Sequence, residues 1–96
     1  MTFDEFRKSL SNPSPTEQLS ETLKAMWHDG NGDWEKAHNI IQDLHTKDAS
    51  WIHAYLHRKE GDNGNASYWY HRANKPVPRI ELKEEWEEIV KALLVN

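Results

Sequence analysis

Cysteine is absent from the 96 residues, which removes disulfides, thiolate nucleophiles and cysteine-ligated zinc or iron–sulfur centres together. A reducing compartment is compatible with that absence. Long apolar runs are missing too: no window approaches the roughly 18 apolar residues of a membrane span. Met1-Thr2-Phe3-Asp4-Glu5-Phe6 has no basic stretch followed by an apolar one, so no export leader is read there. The expectation is a cytoplasmic protein with no membrane partner. Positive charge is scarce as well, 12 Lys and Arg against 16 Asp and Glu, for a net charge of −4. Nucleic-acid binding draws most of its affinity from neutralising phosphates, so no nucleic-acid partner is expected. No glycine-rich phosphate loop, nucleophile elbow or HExxH stretch occurs, and the sequence points to neither an enzyme nor a cofactor.

What is present is helical periodicity. Hydrophobic residues make up 36% of the chain, few enough that a small core must use nearly all of them. Five Trp offset part of that deficit through the area each one buries. Phe3, Phe6 and Leu10 recur at helical spacing before Ser11-Asn12-Pro13, which predicts a short N-terminal lid helix within 1–12. Ser14, Pro15 and Glu17 read as the N-cap, first position and capping-box acid of the next helix. That helix carries Leu19, Leu23, Met26 and Trp27 on one stripe and stops at Gly30-Asn31-Gly32. Asp33 then caps a helix with Trp34, Ala37, Ile40, Ile41 and Leu44 on its apolar side. Asp48 or Ser50 reads as the following cap, with helix from Trp51 to Glu60, a turn at Gly61-Asp62 and helix again to Ala73. After the Asn74-Lys75-Pro76-Val77-Pro78 connector, a last helix over about Arg79–Val95 buries Leu82, Trp86, Ile89 and Leu93 and leaves Glu84, Glu85, Glu87 and Glu88 to water.

The chain also repeats. Leu23–Leu44 aligns without a gap on Ile52–Ala73, with identities at Ala25/Ala54, His28/His57, Gly32/Gly61, Asp33/Asp62 and Ala37/Ala66. Glycine permits a left-handed helix end, aspartate satisfies free N–H groups at the next helix start, and alanine lets paired helices approach closely. The fold class expected is therefore all-α. One domain spans 1–96: the lid helix, two stacked helix–turn–helix hairpins over 15–44 and 49–74, and a capping helix over 79–95.

Ala54, Gly61, Ala66, Tyr70, Ala73 and Pro78 stand at consensus spacings of tetratricopeptide repeats, and Ala25, Gly32 and Ala37 match in the first unit. The chain resembles that family over roughly residues 18–78. It departs where Ile41 and Leu44 replace an aromatic and an alanine, and in a repeat offset of 29 residues where the family uses about 34. Gly32-Asp33-Trp34-x-x-Ala37-His38 and His53-Ala54-Tyr55-Leu56-His57-Arg58-Lys59-Glu60-Gly61-Asp62 also look like segments of a group of small bacterial proteins. The tetratricopeptide resemblance implies a non-enzymatic module that holds a protein or peptide partner. By that resemblance the binding positions are Trp51, Tyr55, Arg58 and Lys59, a residue mixture suited to gripping a carboxylate. The alternatives are that Trp51 and Tyr55 are core, and that Arg58 and Lys59 pair with acids such as Glu60 or Asp62.

Six histidines suggest a second function, small-ligand or divalent-metal binding. At about 100° per residue, His53, His57 and Glu60 share one helix face, and two imidazoles four residues apart with a carboxylate can ligate zinc or nickel. The plainer reading puts His57 at a helix C-terminus, bonding free carbonyls, and His53 between the hairpins.

Overall fold

Thr2 opens the first helix of the computed structural model, which describes residues 1–95. Its hydroxyl accepts from Glu5 N while Glu5 reaches back to the Thr2 amide, a complete capping box at the start of α1 (Phe3–Ser9). Five helices follow: α2 (Glu21–Gly30), α3 (Trp34–Ile41), α4 (Lys47–Lys59), α5 (Asn63–Arg72) and α6 (Leu82–Leu94). The described residues contain no strand, so the protein is all-α. No helix is long and apolar enough to cross a membrane.

Three helix starts differ from expectation, the simplest being α6, which begins at Leu82 after Glu81 and not near Arg79. Ser14 caps nothing, and α2 begins at Glu21 with the Ser20 hydroxyl accepting from Leu23 N. Thr16–Leu19 instead closes a separate turn, in which Leu19 N donates to Thr16 O at 3.2 Å, so no helix follows Ser14 for it to cap. For α4, neither Asp48 nor Ser50 is the cap. Thr46 is, accepting from Ala49 N at 3.0 Å, because the chain becomes helical directly after the short α3–α4 connection.

The repeat holds down to single hydrogen bonds. Gly32 and Gly61 adopt φ of +82° and +89°, the left-handed region that glycine enters without steric cost. Asp33 N donates to His28 O and Asp62 N to His57 O, both at 2.9 Å. Asp33 accepts from Lys36 N and Asp62 from Asn65 N. Donor and acceptor are displaced by the same 29 residues in each case, so one turn is built twice. Ala25, Ala37, Ala54 and Ala66 are all buried where α2 packs on α3 and α4 on α5.

Helix α4 is the centre of the molecule, touching α2, α3, α5 and α6, and every residue from Ala49 to Leu56 is buried. Helix α6 crosses α2 and α4, and α1 lies on α6. Phe6 is fully buried beside Trp86, with Phe3 edge-on to the same indole, and the Trp86 N–H donates to Met26 O at 3.1 Å. Gly30 is required by that packing, since a Cβ there would lie 2.9 Å from the Trp86 ring.

Glu85 departs most from its expected place. It is 2% exposed and turned inward. Tyr70 Oη, Trp51 Nε1 and Arg58 Nη1 all donate to its carboxylate, at 2.6–2.8, 3.3 and 2.8 Å, and Arg58 Nη2 donates to Ile80 O. Three donors from two other helices supply what water would otherwise give a buried charge. Asp29, equally buried, is satisfied by Tyr55 Oη at 2.8 Å and Lys59 Nζ at 2.9 Å.

Candidate metal centre

Helix α3 faces α4 through a histidine that the sequence left unmarked. His38 Nε2 lies 3.1 Å from His53 Nε2. His57, one turn after His53 on α4, completes a group in which one ring nitrogen from each histidine lies within 4.8 Å of the other two. The rings of His53 and His57 stack at 4.8 Å, and His38 meets them edge-on at 4.8 and 5.6 Å. Tetrahedral zinc with ordinary Zn–N bonds needs nitrogens about 3.3 Å apart. One pair is thus already near that spacing.

Indoles wall the cluster. Trp34 stacks on His38 at 4.9 Å with its N–H fixed to Leu56 O, and Trp69 stacks on His53 at 4.0 Å. His53 is buried while His38 and His57 are half-buried, so the group sits below the surface but in reach of it. Glu60, the residue capping α4, places Oε2 2.6 Å from His57 Nδ1. An ionised carboxylate only accepts, so Nδ1 carries the hydrogen and Nε2 is the nitrogen left with a free lone pair. This carboxylate–histidine pairing is the usual way a metal-ligating imidazole is oriented and made more basic. His57 therefore bonds a side chain, in place of the helix-end carbonyls expected of it.

Metal ligands must be deprotonated, and the cluster favours that form. Burial, reinforced by His57 and then His38, holds His53 down to about 4 from the usual 6.5. Burial also lowers His38, with His57 adding to it. Because folded His53 stays neutral where the unfolded chain would take up a proton, stability of the metal-free protein is full above about pH 6.5 and falls towards pH 4. The expected loss is on the order of 2 kcal/mol. Urea unfolding at pH 7.0 and 4.5 checks it against His53→Asn, which should lose less on acidification; an equal loss would place the titration elsewhere.

Of the residues singled out in the sequence, His53, His57 and Glu60 do come together, with Glu60 behind His57. Trp51, Tyr55, Arg58 and Lys59 do not form one open face. Trp51 and Arg58 turn to Glu85, Tyr55 and Lys59 to Asp29, and Trp51 and Tyr55 are buried. Tyr55 and Lys59 instead border a cavity of about 380 Å³ that is also lined by Arg7, Asp29, Leu82, Lys83 and Trp86. His38 lies on a different helix from His53 and His57, so a reading of one helix face could not include it; the available signal was Trp34 and His38 four residues apart on one face of α3. Comparison with protein-family models, curated proteins and solved structures returns no match.

Proposed function

We propose that this chain is a divalent-transition-metal-binding protein whose ligands are His38, His53 and His57. The observation that carries the reading is the convergence of three imidazole nitrogens within 4.8 Å, one of the rings being tethered by Glu60. An all-imidazole donor set suits zinc, nickel, cobalt or copper, whereas calcium and magnesium require oxygen ligands. Three ligands leave a coordination position for water or a further donor.

Calorimetric titration of EDTA-stripped protein with zinc or nickel is the test. One saturable equivalent per chain is expected, with no response to magnesium. At a free metal concentration 100 times Kd, folding gains about 2.7 kcal/mol, a rise in Tm of roughly 10–20 °C for a domain of this size. His53→Ala, checked for its helical circular dichroism, should show neither effect. Absence of both in the wild type would overturn the reading.

The cavity beside Tyr55 and Lys59 favours a second reading, a protein-interaction module of tetratricopeptide-like hairpins. An apolar lining of Leu10, Leu82 and Trp86 beside Arg7 and Lys83, with Lys59 already paired to Asp29 in the same wall, complements a partner's C-terminal carboxylate and apolar last side chain. Trp51 and Arg58 serve this reading indirectly, through Glu85. A labelled peptide ending in leucine should bind at least tenfold more weakly once its C-terminus is amidated or Lys83 is changed to Ala. Equal binding of acid and amide would refute it.

A further inference from the structure

We propose that the Asn63-Gly64 peptide at the start of α5 is a site of self-modification, at which the asparagine side chain loses its nitrogen as ammonia through a cyclic imide. Both residues are exposed. The chain holds two Asn-Gly pairs, at 31–32 and 63–64, and the fold treats them differently.

At the first pair, both groups that would have to react are held. Gly32 N donates to Asp29 O at 2.9 Å, and Asn31 Nδ2 donates to Trp27 O at 3.4 Å. The second pair is different. Asn63 and Gly64 are the first two residues of α5, where the opening N–H groups of a helix find no partner within it. Asp62 caps this helix by accepting from Asn65 N with its carboxylate and from Ala66 N with its carbonyl. The Gly64 N–H is left with no acceptor among the described residues.

Nothing in the fold requires glycine at 64. A Cβ there would meet no atom within 4 Å, and its φ is not positive, in contrast to Gly30, which packing demands, and Gly32, which the turn demands. Glycine also disfavours the helix that it opens. What it does supply is a backbone nitrogen with no side chain to hinder its approach to the preceding residue. Fraying of this exposed first turn releases Asn63 from helical geometry, and Gly64 N then attacks Asn63 Cγ. The N–Cγ bond forms, the Cγ–Nδ2 bond breaks, and the Gly64 amide proton leaves with Nδ2 as ammonia. Water opens either N–C bond of the imide. Opening at Cγ gives aspartate on an ordinary backbone, whereas opening at the former main-chain carbonyl gives isoaspartate, with one more carbon in the main chain. One water enters and one ammonia leaves, so no oxidant, reductant or cofactor is needed. Aspartate at this position suits the positive end of the helix dipole. Isoaspartate lengthens the path from Asp62 to Asn65 and so works against the cap.

The test incubates the full chain, folded and in urea, in mildly alkaline buffer and follows its proteolytic peptides by mass spectrometry. In the folded protein a gain of one mass unit should accumulate in the peptide carrying Asn63 at least tenfold faster than in the one carrying Asn31, with isoaspartate among the products. In urea the two pairs should convert at comparable rates, because the difference belongs to the fold. Gly64→Ala, for which there is room, should keep its helical circular dichroism and convert at Asn63 at least tenfold more slowly. No conversion at Asn63 in the folded protein, equal rates at the two pairs there, a preference for Asn63 that persists in urea, or an unchanged rate in Gly64→Ala would each overturn the proposal.

Discussion

Glu85→Ala is expected to cost about 3–5 kcal/mol, a large share of the roughly 5–15 kcal/mol that holds a domain folded. The substitution removes more than a side chain from α6. It strands the Arg58 guanidinium, four-fifths buried, and leaves Tyr70 Oη and Trp51 Nε1 without their acceptor. Each deserted donor keeps its desolvation cost while losing its compensation. Burial and the Glu85 carboxylate push the Tyr70 hydroxyl upward, so it stays a protonated donor at every pH of interest. Glu85→Gln retains the volume and one acceptor and should lose clearly less. Urea unfolding of both variants measures the difference; a loss below about 1 kcal/mol for Glu85→Ala would mean the network does not close in solution.

The metal site should be equally sensitive to its outer carboxylate. Glu60→Ala leaves all three imidazoles in place yet is expected to weaken zinc binding by about 10–100-fold, or about 1.4–2.7 kcal/mol. Without the carboxylate, His57 is free to rotate and to place its proton on either nitrogen, and the developing positive charge on the ligand loses its partner. Stability of the metal-free protein should barely change, because the Glu60 side chain is 41% exposed and solvated pairs contribute at most about 1 kcal/mol. His38→Ala, which deletes a ligand, should weaken binding further still. Competition against a chromogenic chelator ranks the three proteins. Wild-type affinity in Glu60→Ala would show that the His57–Glu60 contact is only a surface pair, and wild-type affinity in His38→Ala would remove α3 from the site.

Much of this molecule was legible because its signals act within one helical turn. The Gly–Asp turn at 32–33 and 61–62, the four buried alanines and the existence and order of the helices follow from local chemistry repeated at a fixed offset. Local signals failed where two of them competed. Ser14 and Ser20 both precede helix-compatible sequence, and the turn closed at Thr16–Leu19 leaves only Ser20 at a helix start.

Tertiary structure alone decided which side chains meet. His38 and His53 are 15 residues apart, Asp29 and Tyr55 26, Trp51 and Glu85 34, and each meeting depends on how one helix is rotated against another. Periodicity assigns a charged residue to water by default, and Glu85 lies inside only because Tyr70, Trp51 and Arg58 arrive from α4 and α5 to satisfy it. The histidine cluster forms where the two units stop resembling each other: Trp34 faces Asn63 in the alignment, His38 faces Ser67 and Asn31 faces Glu60. Shared positions build the hairpins, since helix ends and close packing demand the same residues twice. The site needs one helix from each hairpin, so no repeat could announce it, and only the packing of α3 against α4 brought its ligands together.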